Sequence, residues 1–208
     1  MMTTEWIRHE CKPLEEHYWE AHHASGLTVL VSPKRFSTYH ATLGVRYGST
    51  DRLSGGRFPM GMAHFLEHKM FDLPGDRDVS AEFAAMGAMT NAFTSYDMTA
   101  YYFSCTQHFE KCLDILLQFV STPCFTKESV EKELGIIDQE IGMNADAPES
   151  KVFEYLMESM YRHHDIRTPI LGDSDSIRKI TPELLHVCHQ AFYTPASMIL
   201  CVVGDVDP

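Results

Sequence analysis

Along this chain the spacing of hydrophobic residues changes from an alternating to a helical period. In the opening third they alternate with polar ones, as in half-buried strands. Residues 27–31 follow the turn pair Ser25-Gly26, and residues 39–47 follow Pro33 and a short basic turn. A polar, glycine-rich stretch over residues 48–59 predicts a loop. Over residues 60–71 the apolar positions fall at helical spacing, with Pro59 suited to the first turn. A second short helix is expected over residues 79–86, ended by Gly87. Residues 89–95 and 99–104 read as strands joined by a Tyr-Asp turn.

The second half is mostly helical. Residues 107–120 are amphipathic, and Pro123 breaks the pattern. Thr126 is suited to cap a helix running to about Met143, with Glu128 in the first turn, where the helix dipole favours an acid. Ala147-Pro148 interrupts, residues 149–161 resume helical spacing, and Thr181-Pro182-Glu183 opens a helix to Phe192. Residues 198–203 close the chain as a buried strand. Strands and helices interleave, yet the early strand pairs read as hairpins. The pattern therefore predicts an α+β fold, an α/β sandwich with a mixed, largely antiparallel sheet and helices packed on it.

Composition narrows the classes of function. The 208 residues are 44% apolar and 22% charged, which suits a globular chain and excludes a disordered tail, a collagen-like repeat or a small disulfide scaffold. No repeat or linker divides them, so residues 1–208 read as a single domain. No run approaches the roughly 18 apolar residues of a membrane span. A net charge of −12 makes nucleic acid and anionic membrane poor partners. The cysteines at 11, 105, 112, 124, 188 and 201 form no C-x-x-C pair and read as free, buried or half-buried thiols. The first 20 residues are rich in Glu and lack an apolar core, unlike a secretory signal or a transit peptide, so the expected location is cytoplasmic.

The one unusual count is 12 histidines, and two of them lie in His64-Phe-Leu-Glu67-His68. On a helix, residues four apart stack one turn above each other, so both imidazoles can converge on one cation while Glu67 lies beside that face. Two imidazoles and one carboxylate leave zinc an open position for water, as in catalytic sites. The H-x-x-E-H order is an inverted zinc-peptidase motif. It would arise by chance in about one chain in twenty of this composition. The plain alternative is two exposed histidines beside a salt-bridging acid. The flanking Phe65, Leu66, Met70 and Phe71 favour a helix held in a core. A third ligand must come from elsewhere, and the run from Glu131 to Met143 supplies candidates. Glu133 and Glu140 lie two turns apart on one helix face, bordered by Ile136, Ile137 and Ile141.

Gly61-Met-Ala-His64-Phe-Leu-Glu67-His68-Lys-Met-Phe71, then Asn91-Ala-Phe-Thr-Ser95 before Ala100-Tyr-Tyr-Phe103, then Glu133 and Glu140, resembles the insulinase/pitrilysin family of zinc peptidases. That family includes the mitochondrial processing peptidase. The tail also resembles the end of the family's first domain, in Pro169-Ile-Leu-Gly172, Ser176-Ile177, Thr181 and Phe192 to Val206. The likeness covers residues 26–208 and is nearest the bacterial cytoplasmic members. It implies that His64, His68 and Glu140 hold Zn2+, that Glu67 is the general base, and that Glu133 is an acid behind the ligands. It also implies that Asn91, Ala92 and Phe93 belong to an edge strand that pairs with peptide, Asn91 fixing its polarity and Phe93 lining a pocket. The resemblance implies a metallohydrolase fold of the processing-peptidase type and a zinc metalloendopeptidase acting on peptides or unfolded polypeptides. A second, similar domain or subunit is expected to close a chamber over the site. The Arg and Tyr which that other half sends toward the substrate have no counterpart within these residues.

Two alternatives stand beside this reading. One is a non-catalytic or regulatory peptide-binding subunit of a two-subunit peptidase, although such members commonly lose a motif residue and this chain keeps all four. The other is a different metallohydrolase or lyase on the same fold. The pairs His22-His23 and His163-His164, and His186 with His189, read as loop or surface residues without a third ligand. Met60, Met62 and Met70 read as core fillers. Asp72, Asp76 and Asp78 lack the spacing of a calcium loop.

Overall fold

The computed structural model describes residues 5–51, 58–75 and 77–208. Half of the loop expected over residues 48–59, residues 52–57, lies outside the described residues, as does Asp76. The chain begins with a hairpin of β1 (Trp6–Cys11) and β2 (Glu16–His22), followed by β3 (Thr28–Pro33) and β4 (Tyr39–Val45). Then come α1 (Met62–Lys69), the two-residue strands β5 (Asp72–Leu73) and β6 (Arg77–Asp78), and α2 (Val79–Ala85). β7 (Met89–Thr94) and β8 (Thr99–Cys105) precede α3 (Phe109–Ser121), α4 (Lys127–Ala145) and α5 (Pro148–Met160). A single turn α6 (Ser174–Ile177), α7 (Pro182–Phe192) and β9 (Met198–Gly204) complete the chain.

The seven-stranded sheet has the order β1-β2-β3-β9-β4-β8-β7. Its pairs are antiparallel except β3 with β9, so the sheet is mixed and largely antiparallel, as expected. β3 and β4 do not form a hairpin. β9 slots between them, parallel to one and antiparallel to the other. Strand alternation sends Ala41, Leu43, Tyr101, Phe103 and Val202 into the core, where they meet Phe65 and Leu66 of α1, Phe83 of α2 and Leu116 and Phe119 of α3. The same alternation leaves His40, Thr42, Tyr102 and Ser104 half-buried on the other face, where His40 Nδ1 and the Ser104 hydroxyl lie 2.8 Å apart.

α1 crosses the helical side of the sheet against β7, β8, α4 and α7. Its start is fixed by glycine. Gly61 caps it at φ 82°, and a β-carbon there would lie 2.4 Å from the Leu171 carbonyl oxygen. Gly172, at φ 73°, is pressed in return against the backbone of Met60. The 169–172 tail motif thus packs directly under the start of the histidine helix. α4 starts at the expected cap: the Thr126 hydroxyl accepts the Ser129 N–H at 3.1 Å.

Three features differ from the sequence expectations. The hairpin β1–β2 is absent from the hydrophobic pattern, because β1 is largely exposed and only Ala21 of β2 is fully buried. His189 is buried rather than on the surface, its Nε2 3.1 Å from the Val120 carbonyl oxygen and its ring stacked on Tyr193. Residues 174–177, for which the pattern predicted no element, form α6, capped by the Asp173 carboxylate. Met62 and Met70 are buried core fillers as expected.

Candidate metal centre

α1 carries an apolar side into the core and a polar side toward α4. Phe65 and Leu66 are wholly buried, and His64 and Glu67 are nearly so, at 7% and 8% exposure. Four residues apart, the rings of His64 and His68 stand 4.6 Å apart at 62°. Glu140 reaches them from α4. Its Oε2 lies 3.7 Å from Nε2 of His64 and 3.7 Å from Nε2 of His68. Such distances are too long for hydrogen bonds. They approach the separation of about 3.3 Å expected between ligands that each bind one zinc ion at about 2.0–2.1 Å. Among the described residues, these three form the group of histidine and acidic donors that could hold a metal ion, all within 4.8 Å of one another. The Glu140 side chain is 42% exposed, so the site opens to solvent on that side.

The two imidazoles differ in protonation. Burial, helped by the neighbouring His68, pushes the His64 pKa down to about 4, which leaves a neutral ring with a lone pair to offer. Burial also opposes charge on His68, but the hydrogen bond to Glu133 and the charges of Glu67, Glu133 and Glu140 outweigh it and raise its pKa. His68 Nδ1 lies 2.9 Å from Glu133 Oε1. An ionised carboxylate only accepts, so Nδ1 carries the hydrogen and Nε2 faces Glu140. Burial alone would raise the Glu133 pKa, yet His68, Lys69 and Lys132 hold it below the ordinary carboxylate value. Among the described residues, His64 Nδ1 has no acceptor, so packing rather than a carboxylate orients that ring.

Glu67 stands on the same face without reaching for the same point. Its Oε2 accepts the hydroxyl of Thr94 in β7 at 2.7 Å. Burial lifts its pKa above the usual value, although Thr94 and His68 pull the other way. Thr94 was visible in the sequence only as part of a motif, because its partner lies 27 residues earlier on another element. Two other contacts escaped sequence reasoning. Lys69, next to His68, is buried and paired with Asp72, and the hydroxyls of Tyr101 and Tyr193 meet at 2.7 Å in the core nearby.

β7 is an outer strand of the sheet. Asn91 Oδ1 accepts the Ala92 N–H at 2.8 Å. Ala92 packs against the core on the side that also carries Thr94, whereas Phe93 is exposed on the opposite side and leans on Tyr102. The structure therefore gathers His64, His68, Glu140, Glu133 and Glu67 around one opening, while Ala92 lies on the face of β7 that carries Thr94, and Asn91 and Phe93 lie on its exposed face.

Residues 43–174 match the family model of the insulinase peptidases, peptidase family M16. The chain is 42% identical over 211 residues to YmfH of Bacillus subtilis, named an uncharacterized zinc protease, covering 96% of this chain and 48% of that protein. It superimposes on an M16-like peptidase from Alicyclobacillus acidocaldarius with a TM-score of 0.84 and 39% identity, over 100% of this chain and 47% of that one. An M16 domain from Pseudomonas fluorescens, described as inactive, shares the fold with a TM-score of 0.81 at 20% identity, over 91% of this chain and 47% of that one. The chain thus spans about half the length of the relatives it matches.

Proposed function

Because the chain belongs to the insulinase family, peptidase family M16, we propose that it is a zinc-dependent metalloendopeptidase domain that hydrolyses peptides or unfolded polypeptides. One observation carries this reading: a single carboxylate oxygen of Glu140 stands 3.7 Å from Nε2 of both motif histidines. His64, His68 and Glu140 would hold the zinc ion, a donor set of two imidazoles and a carboxylate that suits it. When bound, zinc supplies Lewis acidity that polarises a peptide carbonyl and lowers the pKa of water.

The chain's own residues do the remainder. Glu67 accepts a proton from the attacking water and returns it to the leaving amine, a role helped by a pKa that burial raises above the ordinary carboxylate value. Thr94 fixes one of its oxygens, which leaves the other available to the attacking water. Glu133 holds His68 in the tautomer that presents Nε2. The outer edge of β7 offers backbone groups to an extended peptide, with Asn91 and Ala92 setting its register and Phe93 adding apolar surface on the far side. The site's open side and the length of the relatives support a second, similar domain or subunit that closes over the peptide. Among the described residues no helix is long and apolar enough to cross a membrane. All six cysteines are free thiols, which suits a reducing compartment, and on that ground we place the protein in the cytoplasm.

The test is Glu67→Gln in the longest form of the protein. Zinc content near one per chain with peptide cleavage reduced by at least about a hundredfold is expected. Cleavage at the parent rate would remove Glu67 from the reaction, whereas a parent that binds zinc and peptide without cleaving would turn the reading toward a non-catalytic, peptide-binding subunit.

A further inference from the structure

Lys69 ends α1, and its side chain is only 1% exposed. Lysine is almost never fully buried unless it is paired. Its ammonium group is paired with the Asp72 carboxylate and donates to the backbone carbonyl of Ser129 at 3.3 Å. Ser129 sits in the first turn of α4, and Glu133 follows one turn later on the same helix. Glu133 in turn holds Nδ1 of His68, the residue just before Lys69. Adjacent residues of α1 therefore grip successive turns of α4, one through a carboxylate and one through a backbone carbonyl.

An apolar side chain of similar length would fill the same slot without a charge to desolvate. It would not fix the helices in one register, since apolar contact has no direction whereas a hydrogen bond has a defined length and angle. Register matters here because Glu140 lies two turns beyond Glu133 and must arrive within ligand distance of both imidazoles. Sites of this kind tolerate errors of only about 0.5 Å.

We propose that Lys69 is a positioning residue: seated between Asp72 and the Ser129 carbonyl, it sets the register of α1 on α4 at which His64, His68 and Glu140 meet, and so tunes zinc affinity without touching the ion. This rests on the zinc reading above.

The test is Lys69→Met in the 208-residue chain, with three readouts: zinc affinity by competition with a chelator, the visible spectrum of the cobalt-substituted chain, and the melting temperature of the metal-free chain. The expected result is a zinc dissociation constant about tenfold to a hundredfold higher. An altered cobalt spectrum and a metal-free melting temperature no lower than the parent's complete it. Parent-like affinity and spectrum overturn the proposal, as does an affinity loss accompanied by a lower metal-free melting temperature, which would mark general stability. Should Lys69→Met not fold, Asp72→Asn loosens the same seat from a half-exposed position. A few-fold weaker affinity is then expected, and parent-like affinity overturns the proposal. The zinc reading fails separately, if the parent binds no zinc or Glu140→Ala binds it equally well.

Discussion

His64 and His68 are one helical turn apart, yet their surroundings drive their charges in opposite directions. Burial holds His64 neutral to about pH 4, while the carboxylates around His68 raise its pKa above the ordinary imidazole value of about 6.5. On the proposed assignment zinc would compete with protons for both rings, but only where a ring is protonated. Below about pH 6.5 the metal-free chain carries one extra proton at the site, on His68, and a second only near pH 4. Zinc affinity should therefore fall tenfold per pH unit between about pH 6 and 5, with one proton taken up per zinc released. A chelator competition series across that range measures it, and a hundredfold fall per unit would contradict the assignment. At this scale the sequence is legible where spacing itself is the chemistry. His64, Glu67 and His68 lie within five residues and were readable from helical geometry. Glu140 was one of several acids until the family likeness singled it out. Thr94 and Lys69 act through contacts to Glu67 and Ser129 across 27 and 60 residues, which no local pattern contains.

Among the elements, α1 depends on how its first turn is seated. Gly61 and Gly172 lie against each other's neighbours, each in the left-handed region, and neither position has space for a β-carbon. Gly61→Ala would strain the backbone and drive a methyl group into the Leu171 carbonyl, at a cost of at least about 2 kcal/mol. For a domain of this size that lowers the melting temperature by roughly 4–8 °C. A thermal melt of the metal-free variant checks this, and a parent-like curve would mean the 169–172 loop can move aside. Most elements that the pattern located have one face turned to the core: α1, α2, α3, α4, α7, β3, β4, β7, β8 and β9 all follow their expected ranges to within a few residues. α5 was also located from helical spacing, although none of its residues is buried. The hairpin β1–β2 was not located. Cross-strand pairing at the sheet margin holds it, while few of its side chains enter the core, so its polarity hides it.

Taken whole, the molecule is a sheet whose last strand is inserted between its third and fourth, with helices packed on one face. That topology was not readable, because strand periodicity reports which face is buried and nothing about neighbours. The same holds for the meeting of α1 and α4. Sequence offered two helices with suitable donors, and only packing brings donors 72 residues apart to one point. With the proposed ligands, this separation would make zinc a cross-link between distant parts of the fold, bound by the native chain far more tightly than by the unfolded one. At free zinc a hundredfold above the dissociation constant, the native state gains about 2.7 kcal/mol. That is equivalent to a rise in melting temperature of roughly 5–11 °C for a chain of this length. Chelation should reverse the rise. In Glu140→Ala zinc should give little shift, while the metal-free melting temperature stays near the parent's, because Glu140 is half-exposed and contributes little to the core. An equal zinc-induced rise in that variant would show that the ion is held elsewhere, and a parent insensitive to both zinc and chelator would show that α1 and α4 meet without a metal between them.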